Sequence, residues 1–243
     1  MTLTVGSLFS GIGGLDLGLE RAGLKVIWQS EIDPYCNKVL KKHWPEVPNY
    51  GDIKQIDWRT VERPNVICGG YPCQPFSTAG KRHGTDDPRH LWPWVRTAIS
   101  ELRPDYAILE NVPGHLTMGG TAVIGDLANI GYDAEWRLIS AAGLGAPHKR
   151  NRLIIVAYPN VFKLGDFNKC SIIKGTYATR RKVFVADSSS RSPGGTNSQW
   201  AFEPGMGRVA NGVSARVDRL RGLGNAVVPQ VAEYVGRLII NAQ

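Results

Sequence analysis

The stretch Thr2-Leu3-Thr4-Val5-Gly6-Ser7-Leu8-Phe9-Ser10-Gly11-Ile12-Gly13-Gly14 decides how the rest of the chain is read. A β-rich run (2–9) passes into a glycine-rich turn and then at once into the helical pattern of 14–22. Glycines there let the backbone approach a ligand closely, and the helix start offers N–H groups that lack intrahelical partners. Outward from this unit the alternation repeats as far as residue 158. Strands are predicted at 2–9, 25–31, 65–68, 105–110, 134–140 and 152–158, with a further candidate strand ahead of Asp52. Helices are predicted at 14–22, 34–43, 91–102 and 121–130. That order is the signature of an α/β domain with a mostly parallel sheet, whose ligands lie in the loops at the carboxyl ends of the strands.

A glycine-rich strand-to-helix turn alone does not separate enzymes of NAD, FAD and S-adenosyl-methionine. Two acidic residues narrow it to a nucleoside ligand. Glu31 ends the second strand, where a carboxylate can accept both ribose hydroxyls. Asp52, in Tyr50-Gly51-Asp52-Ile53, is placed to bond an adenine amino group. The 65–68 strand empties into Gly69-Gly70-Tyr71-Pro72-Cys73-Gln74-Pro75-Phe76-Ser77. Pro72 and Pro75 stiffen the backbone around Cys73, which suits a presented thiol nucleophile. The next strand ends in Glu110-Asn111-Val112-Pro113, bringing a carboxylate to the same edge. Cys68, Cys73, His83 and His90 match no common ligand spacing, so no metal site is expected.

Composition bounds the remainder. The chain has 243 residues, 42% hydrophobic and 21% charged, with a formal net charge of +8. Residues 1–148 hold 14 Lys/Arg against 16 Asp/Glu, whereas 149–243 hold 15 against 5, so the basic excess is confined to the second part. This is the footprint of a surface for a polyanion, most simply nucleic acid. No run approaches a membrane span and the N-terminus lacks a secretory pattern. Four cysteines are too few for a disulfide scaffold, so a reducing, cytoplasmic setting is expected. Residues 160–215 are irregular and rich in Gly, Ser, Lys and Arg, with short strands predicted near 171–176 and 182–186. Helical spacing returns with Val228, Val231, Ala232, Val235, Leu238 and Ile239 beside Pro229, predicting a helix that packs back on the core.

Taken together, FSGIGG, GYPCQPFS, ENV, the Pro147-His148-Lys149-Arg150-Asn151-Arg152 segment and Gly224-Asn225-Ala226-Val227-Val228-Pro229-Gln230 resemble the cytosine-C5 DNA methyltransferase family. The resemblance runs in order over 3–158 and 216–241. It implies a Rossmann-like methyltransferase domain (1–158), a small basic target-recognition lobe (159–215) and a C-terminal return segment (216–243) that completes the catalytic domain. It implies Cys73, Glu110, Arg150 and Arg152 as the catalytic set. Cofactor contacts to S-adenosyl-L-methionine, with S-adenosyl-L-homocysteine as product, fall on Phe9, Gly11, Gly13, Gly14, Glu31, Ile32, Asp52, Ile53 and Asn225. DNA contacts fall on Gln74, Ser77 and Arg82 in the loop after the cysteine, and on Lys174, Arg180, Arg181 and Lys182 in the lobe. Double-stranded DNA is the implied partner, acted on by a monomer in the nucleoid, with no membrane and no obligate protein partner. His148 departs from the family, which usually has Gln there. The alternatives are the same chemistry on transfer RNA, or a DNA-binding relative of weak activity. Against the first, Cys170 is followed by Ser171-Ile172 rather than the Phe-Thr those RNA enzymes carry.

Overall fold

A computed structural model describes residues 2–72, 91–160 and 222–242. Among these residues six strands form one sheet: β1 (Thr4–Leu8), β2 (Lys25–Ser30), β3 (Val66–Gly70), β4 (Tyr106–Asn111), β5 (Tyr132–Ser140) and β6 (Asn151–Pro159). Their spatial order is β2-β1-β3-β4-β6-β5. β2, β1, β3 and β4 pair in parallel, whereas β6 lies antiparallel to both β4 and β5. The connection 141–150 dictates that reversal. Returning a strand in parallel requires a crossover of a dozen or more residues, usually through a helix, and this link holds only a short 3-10 turn, Ala142–Leu144.

Helices cover both faces. α1 (Gly14–Arg21) and α5 (Pro229–Asn241) pack on the face lined by Val5, Val26, Val66, Ile108 and Ile154. The opposite face, with Leu8, Trp28, Ile67, Leu109 and Ile155, receives α3 (Trp92–Leu102) and α4 (Gly120–Asn129). α2 (Pro34–His43) begins at Asp33, whose carboxylate accepts from the backbone N–H groups of Tyr35 and Cys36, with Pro34 pre-set in helical φ. α5 is the expected return helix. It buries Val231, Val235 and Ile239, each contributing on the order of 2 kcal/mol of apolar burial.

Among the described residues the strands and helices form where periodicity placed them, within a few residues, with one exception. No strand forms ahead of Asp52. Pro45 and Pro48 have no N–H to offer a ladder, and the segment makes a single parallel bridge between Gln29 and Asn49. The strands predicted near 171–176 and 182–186, and nearly all of the expected lobe, lie outside the described residues. Among the described residues no helix is long and apolar enough to cross a membrane.

Candidate active site

β1 has β2 on one side and β3 on the other, so the chain order reverses between β1 and β3. In an open α/β sheet, the crevice outside the carboxyl ends at such a point is the ligand site. Its two lips are the turn after β1 and the segment after β3.

The first lip is held open by backbone conformation. Phe9, Gly11 and Gly13 have φ of 51°, 57° and 83°. Gly13 caps α1 without any side-chain acceptor, leaving first-turn N–H groups available to a ligand. The Glu31 carboxylate lies across the turn. Its Oε2 accepts from Gly11 N at 2.8 Å, and its Oε1 accepts from the N–H groups of Ile32 and Asp33 at 2.8 and 2.7 Å. Asn49 fixes Glu31 in turn, accepting its N–H at 3.0 Å. Ile32 is 66% exposed beside this carboxylate, an apolar face without cover among the described residues. Asp52 caps the 3-10 turn Ile53–Gln55, accepting from Lys54 N, and Ser30 Oγ ties this loop to β2 through Gly51 O at 2.7 Å. Ile53 is buried in the core beneath this loop. Asn225 is exposed on the segment that crosses the start of α1. There a Cβ on Gly14 would run into the Val227 carbonyl oxygen, so the glycine lets the closing segment cross the turn. A carboxylate for a diol, an exposed isoleucine for a flat ring and open N–H groups form a donor set that fits a nucleoside cofactor.

On the second lip, Glu110 pairs in register with Gly70, and a Cβ on Gly70 would stand 2.7 Å from Glu110 Oε2. The glycine is therefore what lets the carboxylate lie over the end of β3, three residues before Cys73. Because β6 is antiparallel, its first residues reach the same edge. Arg152 Nε meets Glu110 Oε1 at 2.6 Å. Burial pushes the Glu110 carboxyl above its usual range, while the nearby Arg152 and Arg150 guanidinium groups oppose the shift. Arg150 turns the other way. Its Nη2 donates to Gly224 O at 2.7 Å and to Ala226 O at 2.5 Å, clamping the closing segment to β6. Burial and Arg152 together lower the Arg150 pKa, although the guanidinium stays charged at neutral pH.

The profile of the C-5 cytosine-specific DNA methylase family matches residues 3–192. The chain belongs to that family. Among its relatives, the type II methyltransferase M.BsuFI of Bacillus subtilis is 34% identical over 171 residues, covering 68% of this chain and 42% of its own. M.Eco47II of Escherichia coli is 41% identical over 165 residues, covering 65% and 40%. A solved structure of a putative DNA modification methyltransferase encoded in an E. coli prophage is similar with a TM-score of 0.56 and 29% identity, covering 67% of this chain and 48% of that one. This family member thus spans under half the length of the two curated relatives.

The fold brings Phe9, Gly11, Gly13, Gly14, Glu31, Ile32 and Asp52 to the first lip, and Glu110 and Arg152 to the second. Arg150 is joined to the segment carrying Asn225. Cys73, Gln74, Ser77, Arg82, Lys174, Arg180, Arg181 and Lys182 lie outside the described residues. Three further features were missed from the sequence. Asp16, fully buried, accepts from Ser7 Oγ at 2.9 Å and Gln29 Nε2 at 2.8 Å beneath the glycine turn. Gly70 is fitted to Glu110. Asn111 Nδ2 donates to the Tyr71 carbonyl at 3.2 Å, tying the segment before the cysteine to β4. The only sequence signal for these was a polar residue at a position the period assigns to the core.

Proposed function

We propose that the chain is a DNA (cytosine-5-)-methyltransferase using S-adenosyl-L-methionine. One observation carries this reading: the buried carboxylate of Glu110, paired with Arg152, stands over the glycine that ends the strand leading to Pro72-Cys73. Cytosine C5 is too weak a nucleophile to take a methyl group unaided. Addition of the Cys73 thiolate to C6 makes C5 enamine-like. Glu110 hydrogen-bonds N3 and the exocyclic amine, and its raised pKa favours the protonated carboxyl that such a contact to N3 requires. Arg152 holds O2, and Arg150 steadies the closing segment over the site. S-adenosyl-methionine, when bound, supplies the electrophilic methyl group on its sulfonium. Phe9, Gly11, Gly13, Gly14, Glu31, Ile32, Asp52, Ile53 and Asn225 surround it, with the Glu31 carboxylate on the ribose hydroxyls. After transfer, loss of the C5 proton to water breaks the bond from C6 to Cys73 and frees the thiolate for the next turnover.

C5 is inaccessible inside a duplex, so the base must leave the stack to reach this edge. The 159–215 lobe, with Lys174, Arg180, Arg181 and Lys182, and the loop residues Gln74, Ser77 and Arg82 supply the DNA contacts. The enzyme acts as a monomer within the cytoplasmic nucleoid. The test is methyl transfer from labelled cofactor to mixed-sequence duplex DNA, wild type beside Cys73→Ala, with the product read by bisulfite sequencing. Label at cytosine C5 from wild type alone supports the reading. Label on transfer RNA but not on DNA, or equal label from Cys73→Ala, overturns it.

A further inference from the structure

Tyr71 stands two residues before Cys73 and is 4% exposed. It is pinned from three directions. Asn111 Nδ2 donates to its carbonyl oxygen at 3.2 Å. Its hydroxyl meets His115 Nε2 at 2.7 Å, with the imidazole edge-on to the phenol at 5.4 Å. The Trp92 ring lies against its other side at 5.3 Å, and Trp92 is itself fixed through Nε1 to Asp126 Oδ2 at 2.7 Å. His115 is 3% exposed in the short turn Pro113–Leu116, directly after the strand that ends in Glu110-Asn111. Residues 110–115 therefore hold both the carboxylate of the base site and the two polar groups that grip Tyr71.

Little slack separates Tyr71 from the thiol. Pro72 locks its own φ and confines Tyr71 to extended backbone. Only the ψ angles of Tyr71 and Pro72 remain soft between their Cα atoms and that of Cys73. Where the backbone leaves Tyr71 thus sets where Cys73 begins. A misplacement of about 1 Å between reacting groups can cost about a hundredfold in rate.

We propose that His115 is a positioning residue, which through its hydrogen bond to the Tyr71 hydroxyl fixes the start of the Cys73 loop relative to Glu110. This rests on the thiol chemistry proposed above. Burial lowers the His115 pKa, so the ring is neutral and can share one hydrogen with the phenol. The pair is a fixed strut between the end of β3 and the turn after β4.

The test compares wild type, Tyr71→Phe, His115→Gln, His115→Phe and the Tyr71→Phe/His115→Phe pair in steady-state methyl transfer to duplex DNA. Thermal unfolding is measured alongside. Expected is a fall in kcat of about tenfold for Tyr71→Phe and for His115→Phe. His115→Gln, whose amide can still meet the hydroxyl, is expected to stay within about threefold of wild type. The double variant should be no worse than either single one, because both lose the same bond. KM for S-adenosyl-methionine should hold throughout, since the first lip is built from β1 and β2. Wild-type kcat in His115→Phe, equal loss in His115→Gln, or a KM for the cofactor rising in step with a falling melting temperature overturns the proposal. Should wild type transfer no methyl group to DNA, the functional reading fails and the strut is read from the rate of Cys73 alkylation by iodoacetamide, mapped on peptides. An altered rate in Tyr71→Phe supports it, and an unchanged rate overturns it.

Discussion

Replacing Asp16 by Asn should make the protein's stability less dependent on pH between about 4 and 7. Asp16 is fully buried in the first turn of α1, and its partners Ser7 and Gln29 are neutral. Burial raises its carboxyl from 3.8 to about 6, more than those two hydrogen bonds lower it. A folded-state pKa above the unfolded one means that the folded chain binds more protons between the two values. Stability from this group is therefore fully present below about pH 4 and is lost as pH rises through about 6. At 1.36 kcal/mol per unit, the full loss is about 3 kcal/mol, of which about 2 kcal/mol falls between pH 4 and 7. Asn keeps the volume and removes the charge, and a flip of the Gln29 amide presents an acceptor to its new N–H₂ group.

The assay is urea unfolding of wild type and Asp16→Asn at half-unit steps from pH 4 to pH 8. The difference between the two chains isolates Asp16 from the other carboxylates, whose titration is common to both. The variant should gain on wild type by about 2 kcal/mol over this range, with most of the gain complete by pH 7. A difference that is flat with pH, or that grows on acidification, would refute the argument and place a compensating cation against Asp16.

Three other outcomes follow from the geometry of the two lips. Gly70→Ala sets a methyl group against Glu110 Oε2 and should lower methyl transfer by at least about tenfold, with cofactor affinity by calorimetry unchanged; full activity would mean the carboxylate yields without consequence. Glu31→Ala removes the acceptor of three backbone N–H groups and of the proposed ribose contact, so cofactor affinity should fall by on the order of tenfold or more; calorimetric affinity equal to wild type would move the ribose elsewhere. Arg150→Met loses both bonds to the Gly224 and Ala226 carbonyls, which should cost about 1–3 kcal/mol of stability and raise KM for the cofactor; a change in kcat alone would return Arg150 to the reacting base.

What was legible in the sequence is what short-range physics encodes. Asp33 followed by Pro34 marks a helix start in the letters, and the observed cap uses both. Val231, Val235 and Ile239 announce a buried face wherever the helix docks. Glu31 and Glu110 could be assigned to strand ends because strand ends are where glycine and proline cluster. What was not legible depends on residues far apart in the chain. Gly70 reads as a loop glycine until Glu110 is known to lie opposite it, 40 positions later. Asp16 reads as a first-turn acid that suits the helix dipole, yet the turn faces the sheet, and Ser7 and Gln29 on two different strands receive it.

The direction of β6 shows where that boundary could have been moved. Read as one more parallel strand, 152–158 would carry Arg150 and Arg152 to the amino edge. At about 3.3 Å per residue, they would lie roughly a strand's length, about 20 Å, from Glu110. The resemblance nevertheless required all three in one site. Only an antiparallel β6 satisfies both, and the link already demanded it, since the eleven residues between the two predicted strands fall short of a crossover, as do the ten observed. Strand direction was therefore deducible from loop length together with the site that the resemblance assigns to Glu110 and Arg152. The ion pair at 2.6 Å is the consequence of that reversal.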